Sequence, residues 1–235
     1  MLEKEMNRWL NPSRFDYCFW ILTLLREQLE IIAKEYLSSS SDHVLVDFGC
    51  GKMPYRQLFA PYTSKYYGAD FKDNPVADFE IKSDGSLDIS DEFTTVVLST
   101  QVLEHVTYPK SYLAECYRIL KPGGKLVLST HGNWVYHPSP TDFWRWTGQG
   151  LQKIVQEAGF EIERFEGLMG IPATSLQLFQ DSISPHLPSI TRAPFRLIIQ
   201  QIISFLDGLQ SATSKQKDAC VFITVDCKPI KSISS

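Results

Sequence analysis

A short apolar run, Val44-Leu45-Val46, leads into Asp47-Phe48-Gly49-Cys50-Gly51. A strand ending in Gly-x-Gly can turn sharply and bring its backbone close to a ligand where any Cβ would stand in the way. A bare Gly-x-Gly is equally a tight strand-to-helix turn that holds nothing. The flanking residues narrow the chemistry. A dinucleotide loop continues Gly-x-x-Gly, whereas here Lys52, Met53 and Pro54 follow Gly51 and the third glycine is missing. Asp47, two residues before Gly49, would repel a pyrophosphate and suits a ligand that carries an ammonium group.

Further carboxylates and imidazoles follow at telling places. Asp70, 19 residues past Gly51, closes a second apolar run, with Phe71 beside it. It can accept hydrogen bonds from both hydroxyls of a ribose, or simply be a solvated turn residue. Asp84-Gly85 pairs an acid with a flexible backbone step that can meet an adenine amino group; alone it is an ordinary turn signal. A fourth run continues as Leu98-Ser99-Thr100-Gln101-Val102-Leu103-Glu104-His105-Val106. His105, His131 and His137 are the candidates for a catalytic base, although each is equally a structural hydrogen-bonding residue. Between residues 131 and 146 the chain reads HGNWVYHPSPTDFWRW, and three of its five tryptophans lie within thirteen residues. Trp134, Tyr136, Trp144 and Arg145 are therefore candidates for a substrate-pocket wall, or for a mini-core that pins the loop to the next helix. Trp146-Thr147 also reads as a cap for that helix.

These residues need a scaffold. Residues 13–37 carry apolar positions at helical spacing, with Ser13 as a plausible N-cap. Apolar, β-branched runs predict strands at 43–48, 65–69, 76–81, 94–99, 125–130, 161–166 and 220–227. Helices are expected at 109–120, opened by Pro109 and ended by Lys121-Pro122-Gly123-Gly124, and at 149–158, ended by Gly159. A short helix after Gly51 starts with Pro54. Residues 172–209 are helical and apolar with no clear strand. Alternation of strand and helix implies an α/β chain with a mostly parallel sheet.

The whole-chain numbers set limits. The chain has 235 residues, enough for one large domain, with 43% apolar and 21% charged residues. Its net charge of −4 argues against a general grip on nucleic acid. Five scattered cysteines without a C-x-x-C pair suit reduced thiols in the cytoplasm better than disulfides or a zinc centre, and no metal is expected. No signal peptide or membrane-spanning run is read.

Taken together, the Asp-x-Gly-x-Gly loop, the acid after the second strand, VLSTQVLEHV and RILKPGGKLVLST resemble the class I S-adenosylmethionine-dependent methyltransferases. The subgroup most like it is the ubiquinone- and menaquinone-biosynthesis type, over roughly residues 43 to 167 and the last strand. The resemblance implies a Rossmann-like seven-stranded sheet of order 3-2-1-4-5-7-6 with strand seven antiparallel. It implies S-adenosyl-L-methionine as cofactor, with Asp47, Gly49, Cys50 and Gly51 along the methionine part and Asp70 and Phe71 at the ribose. Asp84 and Gly85 would flank the adenine, and Thr100, Gln101 and His105 would face the methyl group. The expected organisation is a single methyltransferase domain. It comprises an N-terminal helical cap (1–41), a cofactor core (42–170), a helical insertion between strands six and seven (171–212) that would serve as a substrate lid or an interface, and a final strand with a frayed tail (213–235).

The expected function is methyl transfer to an O, N or C atom of a small-molecule, glycan or lipid-linked acceptor. The rival is a catalytically degenerate cofactor-binding regulator or scaffold. The apolar helices of 173–209 would pack on the domain, form a homodimer or touch a membrane surface.

Overall fold

A computed structural model describes residues 8–230; the tail expected to fray after Lys231 lies outside the described residues. Seven strands form one sheet: β1 (His43–Phe48), β2 (Thr63–Asp70), β3 (Phe79–Glu80), β4 (Thr94–Thr100), β5 (Leu120–His131), β6 (Glu161–Gly170) and β7 (Ala219–Cys227). Their order is 3-2-1-4-5-7-6, as the resemblance implies. β1 to β5 pair in parallel, and β7 runs antiparallel between β5 and β6.

The near-continuous apolar strands have a simple cause. Successive side chains point to opposite faces, and both faces are covered. Leu45, Val96, Leu98 and Val127 pack on one face with Ile21, Leu25, Leu29 and Ile32 of α1 (Phe19–Leu37) and with Phe59 of the short α2 (Arg56–Phe59). Their neighbours Val46, Val97, Leu126 and Leu128 pack on the other face with Leu113, Cys116 and Ile119 of α3 (Pro109–Ile119) and with Leu151 and Val155 of α4 (Gly148–Glu157).

Several boundaries differ from the sequence pattern. α1 begins at Phe19, and Ser13 only supports a local turn by accepting from Phe15 N at 3.3 Å. α2 begins two residues past Pro54, at Arg56, and β3 shrinks to two residues. β5 starts at Leu120, because Pro122-Gly123-Gly124 ends α3 and at once begins the strand. β6 runs on to Gly170 because β7 pairs along its whole length, with Glu161 against Cys227 and Gly170 against Ala219. Only glycine fits at Gly167, where a Cβ would stand 1.9 Å from the Lys215 carbonyl oxygen.

Between β6 and β7 the chain forms α5 (Ile171–Ile183), α6 (Ser189–Gly208) and α7 (Ala212–Lys217), the last unannounced by the sequence pattern. This insertion is locked to the N-terminal segment by buried polar groups. The side-chain amides of Gln177, Gln180 and Gln200 converge on the Tyr17 carbonyl at 2.8 Å each. α1 has no side-chain cap, and Gln200 Oε1 instead accepts from Trp20 N at 2.9 Å. Asp207 accepts from Trp20 Nε1 and Gly170 N, binding α1, α6 and the end of β6 together.

A buried carboxyl on β7 sets a pH dependence. Thr224 Oγ1 lies 2.9 Å from the Arg164 carbonyl and 2.6 Å from Asp226 Oδ1. The hydroxyl has one hydrogen; given to the carbonyl, it leaves Asp226 to donate, which requires the neutral acid. Burial pushes this carboxyl up to about 8. An acid whose folded-state value is raised holds a proton that the unfolded chain releases, so stability falls as pH rises from about 4 to 8. Asp226→Asn is expected to raise the melting temperature at pH 9 by about 2–4 °C per kcal/mol recovered and to have little effect at pH 4. Parallel melting profiles for the two proteins between pH 5 and 9 would exclude this assignment.

Candidate active site

β1 and β4 lie side by side, with Asp47 opposite Leu98, and the chain leaves them in opposite directions at their carboxyl ends. A crevice opens there, as it does wherever strand order reverses in a parallel sheet. It widens into a cavity of about 1400 Å³. Gly49 has φ +83°, and a Cβ on it would stand 2.6 Å from Val102 Cγ2. The loop is fixed by Gly49 N and Cys50 N donating to the Ala69 carbonyl, and by the Tyr112 hydroxyl bridging Phe48 O and Ser99 Oγ.

One wall gathers nearly all the residues expected to hold the cofactor: Gly49, Cys50, Gly51, Asp70, Phe71, Asp84, Gly85, Thr100, Gln101 and His105. Asp70 Oδ2 accepts from Gly51 N at 2.9 Å and from Asn74 at 2.7 Å, which joins the tips of β1 and β2. Gln101 takes φ +56°, a strained backbone for a non-glycine residue. Its Nε2 donates to Ser129 Oγ, while its buried Oε1 has no hydrogen-bond partner.

Asp47 departs from expectation. It does not line the cavity; it is buried behind the loop, where Oδ2 accepts from the Tyr66 hydroxyl at 2.7 Å. Burial pushes its carboxyl up to about 7, against the opposing pull of that hydrogen bond.

Much of the remaining lining is apolar and aromatic. It includes Trp9, Tyr17, Ile21, Leu22, Leu25, Trp134 and Val221, with Arg196, Asp181 and Ser184 from the insertion and Tyr55 from beside the loop. Sequence reasoning did not single out Tyr17, Arg196 or Asp181. Their signal is tertiary, since the N-terminal segment and α5–α6 meet only in the fold.

The three histidines also line the cavity. The His131 ring stacks on Trp134 at 5.3 Å, and His137 packs edge-on against both His131 (4.7 Å) and His105 (5.0 Å). Glu104, which sequence reasoning passed over, is fully buried beside them, 3.5 Å from His131 Nε2. Burial pushes its carboxyl up to about 7 and holds the His131 and His105 rings below the usual histidine range. Hydrogen bonds from Arg145 hold Asp142 well below the usual carboxylate range.

Tyr136, Trp144 and Arg145 do not line the cavity. Tyr136 is 74% exposed. Trp144 Nε1 donates to the Val106 carbonyl, and its ring lies against Trp146. Arg145 donates to the carbonyls of Trp134, Val135 and Trp144 and to both Asp142 oxygens, so it works as the loop's internal brace. Thr147 caps α4 by accepting from Gly150 N at 3.0 Å. Trp134 alone of the four lines the cavity.

Comparison with known proteins matches this geometry. A family model described as "Methyltransferase domain" matches residues 46–128, the stretch from β1 into β5. Over that stretch the chain is similar to the class I S-adenosylmethionine-dependent methyltransferases. Among these methyltransferases, the ubiquinone biosynthesis O-methyltransferase of Dinoroseobacter shibae is 29% identical over 202 residues, covering 69% of this chain and 76% of that protein. That of Cereibacter sphaeroides (strain ATCC 17029) is 30% identical over 137 residues, covering 52% and 53%. The chain thus spans about half the length of the first curated relatives it matches. The crystal structure of the [4+2]-cyclase SpnF has the same fold, with a TM-score of 0.59 and 19% identity over 89% of this chain and 83% of that one. So does a phosphoethanolamine N-methyltransferase 2 from Haemonchus contortus, solved with S-adenosylhomocysteine (TM-score 0.56, 15% identity, 96% and 57% covered). A cyclase among methyltransferase folds shows that the fold alone does not fix the reaction.

Removing the Arg145 brace is expected to loosen the loop without emptying the pocket. In Arg145→Ala, amide hydrogen exchange across residues 132–146 should speed up by about tenfold or more, as hydrogen bonds to a charged group are lost. Unchanged protection there would contradict the bracing role.

Proposed function

We propose that this chain binds S-adenosyl-L-methionine along the Gly49–Gly51 wall and transfers its methyl group to an acceptor held against the aromatic lining. The observation that carries this reading is one cavity lined by both sets of residues, the loop, Asp70, Asp84 and Gln101 together with the aromatic Trp9, Tyr17 and Trp134. Asp70 would accept from the ribose hydroxyls, and the vacant Gln101 Oε1 suits the amino group of the methionine part. Asp47 steadies the loop from beneath through Tyr66. The protein's task is then to align the acceptor atom with the sulfonium methyl and exclude water.

The acceptor atom we favour is a hydroxyl oxygen. An alcohol or phenol must shed a proton as it is methylated, and the cavity wall carries three imidazoles, with Glu104 buried against His131. The relatives named ubiquinone biosynthesis O-methyltransferases agree with oxygen as the acceptor. Aromatic walls favour a ring-bearing acceptor.

Titration calorimetry tests the cofactor half. Wild type should bind S-adenosylmethionine and S-adenosylhomocysteine, Asp70→Ala should bind about tenfold or more weakly, and Gly49→Val should not bind. Absence of binding by the wild type would sink the methyltransferase reading. Binding with no turnover across a panel of phenols, sugars and lipid-linked alcohols would favour a regulatory scaffold instead.

The insertion supports one further reading already suggested by its pattern. Ile198, Ile202, Phe205 and Leu209 form an uncovered apolar stripe on α6, fit for a membrane surface or a second copy of the chain. No helix among the described residues is long and apolar enough to cross a membrane. Ile202→Glu with Phe205→Glu should abolish either flotation with anionic vesicles or dimerisation on gel filtration. If the wild type shows neither behaviour, the stripe is no interface.

A further inference from the structure

We propose that Glu104, His131 and His137 bind one divalent transition-metal ion of the zinc class, with His105 outside the donor set. The binding claim stands on geometry; the catalytic role given to the ion below rests on the methyl-transfer reading.

The donor atoms of Glu104, His131 and His137 all lie within 4.8 Å of one another. Glu104 Oε1 is 3.5 Å from His131 Nε2 and 3.9 Å from His105 Nε2. Ligands bound tetrahedrally at about 2.0–2.1 Å sit roughly 3.3–3.5 Å apart, so the Glu104–His131 pair already stands at ligand spacing and His137 has at most about 1.5 Å to close. The carboxylate is also aimed. Its Oε2 accepts from Thr130 Oγ1 at 2.8 Å, whereas Oε1, fully buried, has no hydrogen-bond partner among the described residues. A buried carboxylate oxygen facing imidazoles with nothing to accept is costly unless a cation completes it.

The surroundings set the rings as an outer shell would. His105 Nδ1 is hydrogen-bonded to the Thr141 carbonyl, and His137 Nδ1 lies 3.2 Å from the Val135 carbonyl and 3.4 Å from Asp142 Oδ2. Both rings are thereby held as tautomers with an unprotonated Nε2, and stacking on Trp134 fixes the plane of His131. A donor set of imidazoles with a single carboxylate selects zinc or a neighbouring transition metal over magnesium or calcium, which prefer all-oxygen shells. Because the histidines line the cavity, an open coordination position would face into it.

In the methyl-transfer reading the ion coordinates the acceptor hydroxyl and lowers its pKa, and the hydroxyl proton passes to solvent water. The oxygen then attacks the methyl carbon and forms the O–C bond. The C–S bond breaks and its electron pair stays on sulfur, leaving neutral S-adenosylhomocysteine.

The test uses chelator-stripped protein titrated with zinc sulfate by calorimetry and with cobalt(II), whose visible absorption reports tetrahedral coordination. One equivalent should bind with micromolar or tighter affinity. Glu104→Gln and His137→Ala should each weaken binding by about tenfold or more, with far-ultraviolet circular dichroism unchanged. If Glu104→Gln fails to fold, His137→Ala alone decides. Absence of stoichiometric binding, or wild-type affinity in the folded variants, would overturn the proposal. S-adenosylhomocysteine binding measured on the same samples separates the two readings. Its retention without zinc binding refutes only the metal site, and zinc binding without it refutes only the cofactor assignment.

Discussion

The parallel pairing of β1 with β4 is the contact on which the rest of the site depends. It joins the two strands whose onward connections lie on opposite sides, so their carboxyl ends cannot be covered by the same loop. That register fixes how far the Gly49 loop stands from Thr100 and Gln101, and both segments are then immobilised by neighbours. The Ala69 carbonyl holds the first and the Ser129 carbonyl the second. A one-residue slip would reverse which strand residues face each half of the core and would pull the two loops out of line.

A recurring arrangement runs through the interior. Asp47, Glu104 and Asp226 are each buried, and each has one oxygen beside a single hydroxyl, from Tyr66, Thr130 and Thr224 respectively. Burial disfavours the charged form of all three. What separates them is what lies beyond the hydroxyl. Asp226 is enclosed by strands and Asp47 by the underside of the loop, whereas Glu104 turns its second oxygen toward imidazoles that border open space. The same local chemistry is enclosed by strand and loop in two places and lies against cavity-lining imidazoles in the third.

Much of this was legible from local signals. Central strands buried on both faces must be apolar throughout, which is why β1 and β4 were found to within a residue, and Gly49 with its positive φ is a position where side chains are penalised. The failures have equally physical causes. Asp47 reads as a ligand contact because sequence shows its distance from Gly49 along the chain but not the face of the strand it occupies. Trp144 and Arg145 read as a pocket wall because aromatic density looks the same whether it lines a cavity or fills a loop. Glu104 escaped notice because its significance comes from His131 and His137, brought to it only when β5 pairs beside β4. The residues of the N-terminal segment were invisible as site residues for the same reason: their partners lie some 160 to 190 positions away.

The Tyr17 carbonyl has a consequence for how the cavity's roof behaves. Three buried amides share that one oxygen, and each keeps a further acceptor on Asp181, Gln177 or Gln180. Moving the N-terminal segment therefore costs each amide one hydrogen bond, about 1 kcal/mol apiece. The three losses fall together because the acceptor is a single atom, so the segment carrying Trp9 and Tyr17 and the α5–α6 hairpin are expected to loosen as one unit.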